Sequence, residues 1–245
     1  MIYIATHKIV DFPQANWYKT LGLGGVGHGI LDFVDDAGEN ISKLNKNYCE
    51  LTGIYWLGKN LKADFVGFCH YRRYFNFFPL QVNLPRHIAV DNLPMVEKIL
   101  DHSYQLEMIY KILKQYDIIV PTPLPLLESV DERYRIDHGA QEWDYFLNRM
   151  DALYGSDSHS LRLDRRLFIG NMLICKKELF DEYAQTMFEL IDPVFQEFGD
   201  YPLEEGVRFQ KYRYPGYLAE RFMTGFINSK KLKYYDAQLI NIANF

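Results

Sequence analysis

The 245-residue sequence is poor in cysteine, has no long apolar run and carries no basic excess. Its three cysteines, Cys49, Cys69 and Cys175, are widely spaced, odd in number and without a CxxC pair. That spacing excludes a zinc ribbon and a disulfide framework, and each sits in an apolar run, as a small buried hydrophobe in a reducing compartment would. No stretch reaches the roughly 18–20 apolar residues that a bilayer-spanning helix needs. The apolar start, Ile2–Ala5, is far too short for a signal peptide. A cytoplasmic protein is expected, with any membrane contact peripheral. Lys and Arg number 27 against 32 Asp and Glu, a net charge of −5, which argues against general nucleic-acid binding. Neither a P-loop, nor G-x-S-x-G, nor H-E-x-x-H occurs. No two aspartates stand two apart, so the D-x-D pair that commonly holds a divalent metal is missing.

What the chain does have is aromatic surface, 16% of residues, with 19 Tyr and 17 Phe. Such rings mostly pack cores, but each offers a flat apolar face and, in Tyr, a polar tip suited to sugars or bases. Apolar composition of 48% is enough for a substantial core. Nearly continuous apolar runs predict strands over Ile2–Ala5, Phe65–Cys69, Asp117–Val120 and Phe168–Cys175. Helical periodicity predicts helices over about 43–61, 94–115, 140–153, 177–198 and 216–229. The alternation implies one α/β domain over 1–245, a three-layer α/β/α fold with a largely parallel sheet. Asn76–Pro94 and Pro121–Pro125 read as long loops, and Gly22–Gly29 as a lid, an acceptor loop or a turn-rich connection. The glycine-rich stretch lies too far after the first strand to be that strand's phosphate loop.

The most informative segment is Asp64–Phe75, in which a buried strand runs directly into His70-Tyr71-Arg72-Arg73-Tyr74. Burying two unpaired guanidinium groups is too costly, so this run marks the strand's exit into a polar site or solvent. At the carboxyl end of a central strand it would form an anion cradle, Arg supplying a planar fork for phosphate oxygens. Thr6-His7-Lys8 is the exit of the first strand, which in nucleotide-binding α/β folds lies beside the ligand. Asn40 and Ser42 suit helix N-capping, where free N–H groups also attract anions. Glu220 lies in a mostly apolar helix behind Pro215-Gly216, a poor place for an idle carboxylate unless Arg213 or Arg221 pairs with it.

Together these stretches resemble a family of bacterial capsule and exopolysaccharide biosynthesis proteins. It was catalogued as domain of unknown function 4422 and is treated as glycosyltransferase family 111. The resemblance rests on Ile2–Lys8, Glu39–Ser42, Tyr48–Thr52 with Tyr55-Trp56, and Gly67–Tyr74. It extends to Tyr116-Asp117, Asn171-Met172 and Gly216–Arg221. It implies a GT-A-like fold and inverting transfer of β-galactofuranose from UDP-galactofuranose. The implied acceptor is a glycan, often lipid-linked, at the inner face of the cytoplasmic membrane, in capsule, O-antigen or exopolysaccharide synthesis beside other glycosyltransferases. A different nucleotide sugar, or a non-catalytic nucleotide- or glycan-binding module, is the alternative. On this reading Glu220 is the base, with Asp117, Asp137 and Glu50 as contenders. Thr6, His7, Lys8, Asn40, His70, Tyr71, Arg72 and Arg73 face the donor, and Asn171 and Tyr217 the acceptor.

No metal cofactor is expected, because two arginines at the strand exit would neutralise a departing diphosphate and repel a cation. Mg²⁺ or Mn²⁺ on a carboxylate such as Asp157 beside His159 is the alternative. Transfer should therefore proceed at full rate in excess EDTA, while Arg72→Ala loses about 10²–10³-fold. A strict requirement for added Mn²⁺, with Arg72→Ala nearly as active as wild type, would refute the expectation.

Overall fold

A computed structural model of the chain describes residues 1–77, 86–100, 104–207 and 209–243. The sheet begins with β1 (Ile2–Thr6), which alternates its side chains cleanly between two faces. Tyr3 and Ala5 enter one apolar cluster, Ile2 and Ile4 the other. Next come β2 (Tyr18–Gly22), β3 (Phe33–Val34), α1 (Asn45–Tyr48), α2 (Leu51–Asn60) and β4 (Phe65–His70). They are followed by β5 (Arg73–Asn76), β6 (His87–Val90), α3 (Leu93–Leu100), α4 (Tyr104–Leu113), β7 (Ile118–Pro121) and β8 (Leu124–Pro125). The remainder is α5 (Val130–His138), α6 (Gln141–Tyr154), α7 (His159–Leu163), β9 (Arg166–Leu167), β10 (Leu173–Lys176), α8 (Lys177–Phe198), α9 (Tyr214–Ser229) and β11 (Tyr234–Ile242).

The main sheet runs β10-β7-β11-β5-β4-β1-β2-β3, with β6 on β11 and a further pairing of β10 with β4. Helices α2, α6, α8 and α9 pack one face through residues such as Trp56, Phe146, Phe180 and Phe222. Val96 and Leu100 of α3, with Ile109 and Ile112 of α4, cover the other, giving the three layers expected. The sheet is mixed rather than largely parallel. β1, β2 and β4 are parallel, but β5 returns antiparallel from β4, and β10 is antiparallel to both β4 and β7. β4 thus pairs with β10 along Phe65–Phe68 and touches β5 only through His70 and Arg73. The sheet splits where β4 ends. Thr6, Gly22 and His70 end their strands on the same side, beside that split.

Other expectations shift for local reasons. The helix read over 43–61 is broken at Cys49, whose φ of 52° lies in the left-handed region. The Asn45 side-chain amide donates to the Cys49 carbonyl and the Thr52 hydroxyl, so the break is held in place. The strand read over Phe168–Cys175 is strand only from Leu173, because Gly170 (φ 76°) and Asn171 (φ 51°) form a tight turn first. α5 was hidden by its charged sequence, although the Ser129–Glu132 capping box starts it. The loop expected over Asn76–Pro94 contains β6 and the start of α3, while 78–85, with Pro79 and Pro85, lie outside the described residues.

At the centre of β4, Gly67 has no room for a side chain. A Cβ there would stand 2.6 Å from the Ile2 Cγ1 and 3.1 Å from the Ile174 Cγ1. Gly67→Ala should lower stability by about 1–3 kcal/mol through overpacking, read as a lower urea midpoint at unchanged slope. An unchanged midpoint would show that the two strands part without cost.

Candidate functional site

At the split end of the sheet lies a cavity of about 500 Å³. Four elements supply its chemistry. His7 follows the end of β1, and from the corner between β4 and β5 come His70, Tyr71, Arg72 and Arg73. The turn before α2 gives Cys49 and Glu50, and the start of α9 gives Arg213, Gly216, Tyr217 and Glu220. A larger cavity, about 620 Å³, sits beneath the segment around Phe12 and Pro13. Its only charged groups, Lys19 and Asp32, already pair at 3.0 Å, so it lacks comparable chemistry.

The floor of the first cavity is built around Gly170. Because β10 runs antiparallel to β4, the turn preceding it falls next to the end of β4. The Gly170 N–H donates to the Glu220 Oε1 at 2.7 Å, and its carbonyl accepts from the His70 Nε2. The Arg221 Nη1 donates to the other Glu220 oxygen at 3.0 Å. Glu220 keeps 21% of its side chain open, toward the cavity, whereas Arg221 keeps 5%. Burial, then the nearby Glu50 carboxylate, raises the Glu220 pKa, against the opposing pull of Arg221, the Gly170 N–H and Arg73. Burial and Arg73 lower His70 to about 4, so near neutral pH it is an uncharged donor to Gly170. Asn171 stands behind the floor and donates to the Glu50 Oε1 at 2.8 Å.

The rim is cationic. The Tyr71 ring has the Lys8 ammonium 5.1 Å and the Arg72 guanidinium 5.8 Å from its centre, and His7 meets it edge-on. Burial, then Lys8, Arg213 and Arg72, lower the His7 pKa. Among the described residues Arg72, Arg73 and Arg213 form no ion pair with a carboxylate. A desolvated carboxylate thus shares one cavity with three arginines that no carboxylate pairs with among the described residues. The arrangement can accept a proton at one end and hold an anion at the other.

Of the residues singled out from sequence, His7, His70, Tyr71, Arg72, Arg73, Tyr217 and Glu220 line this cavity. Thr6 does not line it; its hydroxyl closes a turn by bonding the Lys8 carbonyl and amide. Asn40 holds a separate turn through the Asp36 and Gly38 carbonyls and the Ser42 amide. Tyr217 lies flat on His138, ring centres 4.2 Å apart. Among the rival carboxylates only Glu50 lines the cavity. Asp117 precedes β7 at the opposite end of the sheet, where it accepts from the Lys233 amide, and Asp137 accepts from the Arg133 Nε and Nη2. Asp157 lines a different, open recess near Arg166. No group of three or more metal-ligating side chains occurs among the described residues.

Over residues 1–231 the sequence matches the family described as domain of unknown function DUF4422. The chain belongs to that family. Among solved structures it is similar to the apo form of WbbM, titled a bifunctional glycosyltransferase, at 26% identity and a TM-score of 0.84. The superposition covers 99% of this chain and 45% of that one, so the chain spans less than half of that neighbour's length. No curated protein sequence matches. The fold is thus a GT-A-like, Rossmann-type α/β arrangement. No helix among the described residues is long and apolar enough to cross a membrane.

Gly170, Cys49 and Arg213 are among the cavity residues of this DUF4422 chain that escaped the sequence reading. Gly170 was taken for strand interior, and the only signal against that was a glycine followed by asparagine inside an apolar run. Cys49 was expected to be buried like Cys69 and Cys175, but it is half-buried and lines the cavity. Arg213 was weighed only as a partner for Glu220; its Nε instead donates to the Cys49 Sγ at 3.1 Å. The glycine-rich stretch has the G-x-G-x-x-G spacing at Gly22, Gly24 and Gly27, but β2 leads there into turns and β3, with no helix to receive a phosphate.

The Glu220 carboxyl should titrate above the ordinary glutamate range, followed by carbon NMR of the labelled side chain. Glu50→Gln should move that titration to lower pH, because it removes a neighbouring like charge. A Glu220 that titrates at or below about 4.3, indifferent to Glu50, would contradict the electrostatic account.

Proposed function

We propose that this DUF4422 chain is a glycosyltransferase of family 111 that moves galactofuranose, with inversion, from UDP-galactofuranose to a glycan acceptor. One observation carries the reading: Glu220, desolvated and raised in pKa, faces the same cavity as Arg72 and Arg213, which form no ion pair with a carboxylate among the described residues. The likeness to WbbM, a glycosyltransferase by title, supports the class of reaction, while the choice of sugar rests on the resemblance of the sequence motifs.

In this scheme the acceptor hydroxyl oxygen attacks the anomeric carbon from the face opposite the diphosphate. Its proton passes to the Glu220 carboxylate as the bond between the anomeric carbon and the phosphate oxygen breaks, and that electron pair leaves with UDP. Raising the pKa of Glu220 makes it a better proton acceptor near neutral pH. The cations meet the negative charge that grows on the diphosphate oxygens. His7, Lys8, Tyr71 and Arg72 lie on the donor side, and Tyr217 on its His138 platform offers an aromatic face to the acceptor sugar. Thr6 supports the donor side through the turn that it closes before Lys8, and Asn171 supports Glu50. Metal independence follows from the same charges. The acceptor of this reading is a lipid-linked or free glycan, reached by peripheral association with the membrane and handed on to further transferases.

Glu220→Gln should keep UDP affinity and lose about 10²–10⁴-fold in transfer, since the amide preserves shape without basicity. Turnover with UDP-galactofuranose and UDP-galactopyranose, measured side by side, tests the donor. Wild-type rates in Glu220→Gln would move the base to Glu50. UDP binding without turnover of any nucleotide sugar would leave a binding module.

A further inference from the structure

We infer that the donor diphosphate is clamped between Arg72 and Arg213, and that Arg73, although next to Arg72 in sequence, serves Glu220 instead. The inference rests on the glycosyltransferase reading above and assigns its phosphate site. Arg72 and Arg73 diverge because they flank the start of β5. Arg72 lies in the exposed turn and extends over the outer side of the Tyr71 ring. Arg73 is the first residue of β5, paired with His70 and Asn241, and points to the floor. A Cβ on Gly170 would sit 3.2 Å from the Arg73 Nη1 and 3.3 Å from the His70 Nε2. Arg73 accordingly bears on both floor groups, depressing the pKa of His70 and opposing the rise in that of Glu220.

Arg213 approaches from the other wall. It precedes the first turn of the sixteen-residue α9, whose Gly216 and Tyr217 also line the cavity. The Cys49 thiol takes its Nε, fixing the direction of the guanidinium. Neither Nη nitrogen has a hydrogen-bond partner among the described residues. Arg213 and Arg72 line the same cavity as His7 and, after burial and Lys8, both lower its pKa. Burial and the Glu50 charge push the Cys49 thiol up to about 11, so it is neutral near pH 7 and cancels none of the arginine's charge. Two forks without carboxylate partners among the described residues, lining one cavity with His7 beside a helix N-terminus, suit a diphosphate with oxygens on two sides. The floor is worse for that anion, because Glu220 and Glu50 already occupy it.

The Glu220 charge is set by groups from every neighbouring element. Arg73 and His70 come from the β4–β5 corner, Glu50 and Cys49 from the turn before α2, Tyr183 from α8, and Tyr217 and Arg221 from α9 itself. Removing Arg73 alone should raise the Glu220 pKa, so the acid side of the transfer profile should move to higher pH.

Calorimetric titration with UDP and with uridine, on wild type and on Arg72→Gln, Arg213→Gln and Arg73→Gln, tests the assignment, with the acid limb of transfer followed in Arg73→Gln. Arg213→Gln and Arg72→Gln should each weaken UDP about 10- to 100-fold, as loss of a charge-assisted fork does, and leave uridine within about twofold. Arg73→Gln should leave UDP within about threefold, with its acid limb displaced upward. The clamp is overturned if Arg213→Gln holds UDP as tightly as wild type, or if Arg73→Gln weakens UDP as much as Arg213→Gln does. It is equally overturned if uridine is lost in parallel with UDP, which would mean that Arg213 acts through the fold. Failure of wild type to bind UDP at all would remove the nucleotide-sugar reading itself, a result distinct from any pattern among the variants.

Discussion

Gly170 gives its amide hydrogen to Glu220 and its carbonyl to His70, and so ties the end of β4 to helix α9 through one peptide unit. The rest of the cavity depends on this tie. Its left-handed backbone (φ 76°) turns the chain back into β10, and the missing Cβ leaves space for Arg73. A carboxylate in so desolvated a place needs its hydrogen bonds met, and the main chain meets one without adding a charge. The sheet makes the tie available: β4 gives up its β10 partner just before His70 and meets β5 only at that residue. The gap between those two pairings is where the turn enters.

Charge is distributed around this floor in an ordered way. The carboxylates Glu50 and Glu220 are inside, held by Asn171, the Gly170 amide and Arg221. The cations Lys8, Arg72 and Arg213 lie around Tyr71 and His7 nearer the solvent. Burial, with the Glu50 charge added to it, pushes Glu220 toward protonation. His70 and His138 are both held well below their ordinary pKa, at about 4 and about 3, chiefly by burial. They act as neutral hydrogen-bonding and stacking groups.

Several features were legible because they follow from local cost. A strand as apolar as Phe65–Cys69 ending in two arginines could only be an exit from the core, and the cavity opens there. α8 was readable end to end, since Phe180, Tyr183, Met187, Leu190, Ile191 and Val194 recur at helical spacing and Gly199 follows as its stop. The breaks were harder. Nothing near Cys49 announces a helix interruption, because the Asn45 side chain that holds it acts only once the turn has formed. The short strands β5 and β6 and the long β11 lacked distinctive patterns and take their place through partners distant in sequence.

By itself the sequence determined the α/β class, the polar exits at Thr6–Lys8 and His70–Arg73, and the oddity of Glu220 among apolar neighbours. Each is a matter of which side chains can bear burial, and that is decided residue by residue. Only the tertiary structure decided strand direction, the partners of each charge and the divergence of Arg72 from Arg73. Strand direction depends on chain crossovers, and the sheet proved mixed where a parallel one was expected. The two arginines are adjacent in sequence, but one belongs to a turn and the other to a paired strand, so their side chains diverge. Arg213 and Cys49 meet across 164 positions of sequence, a contact that no local pattern encodes.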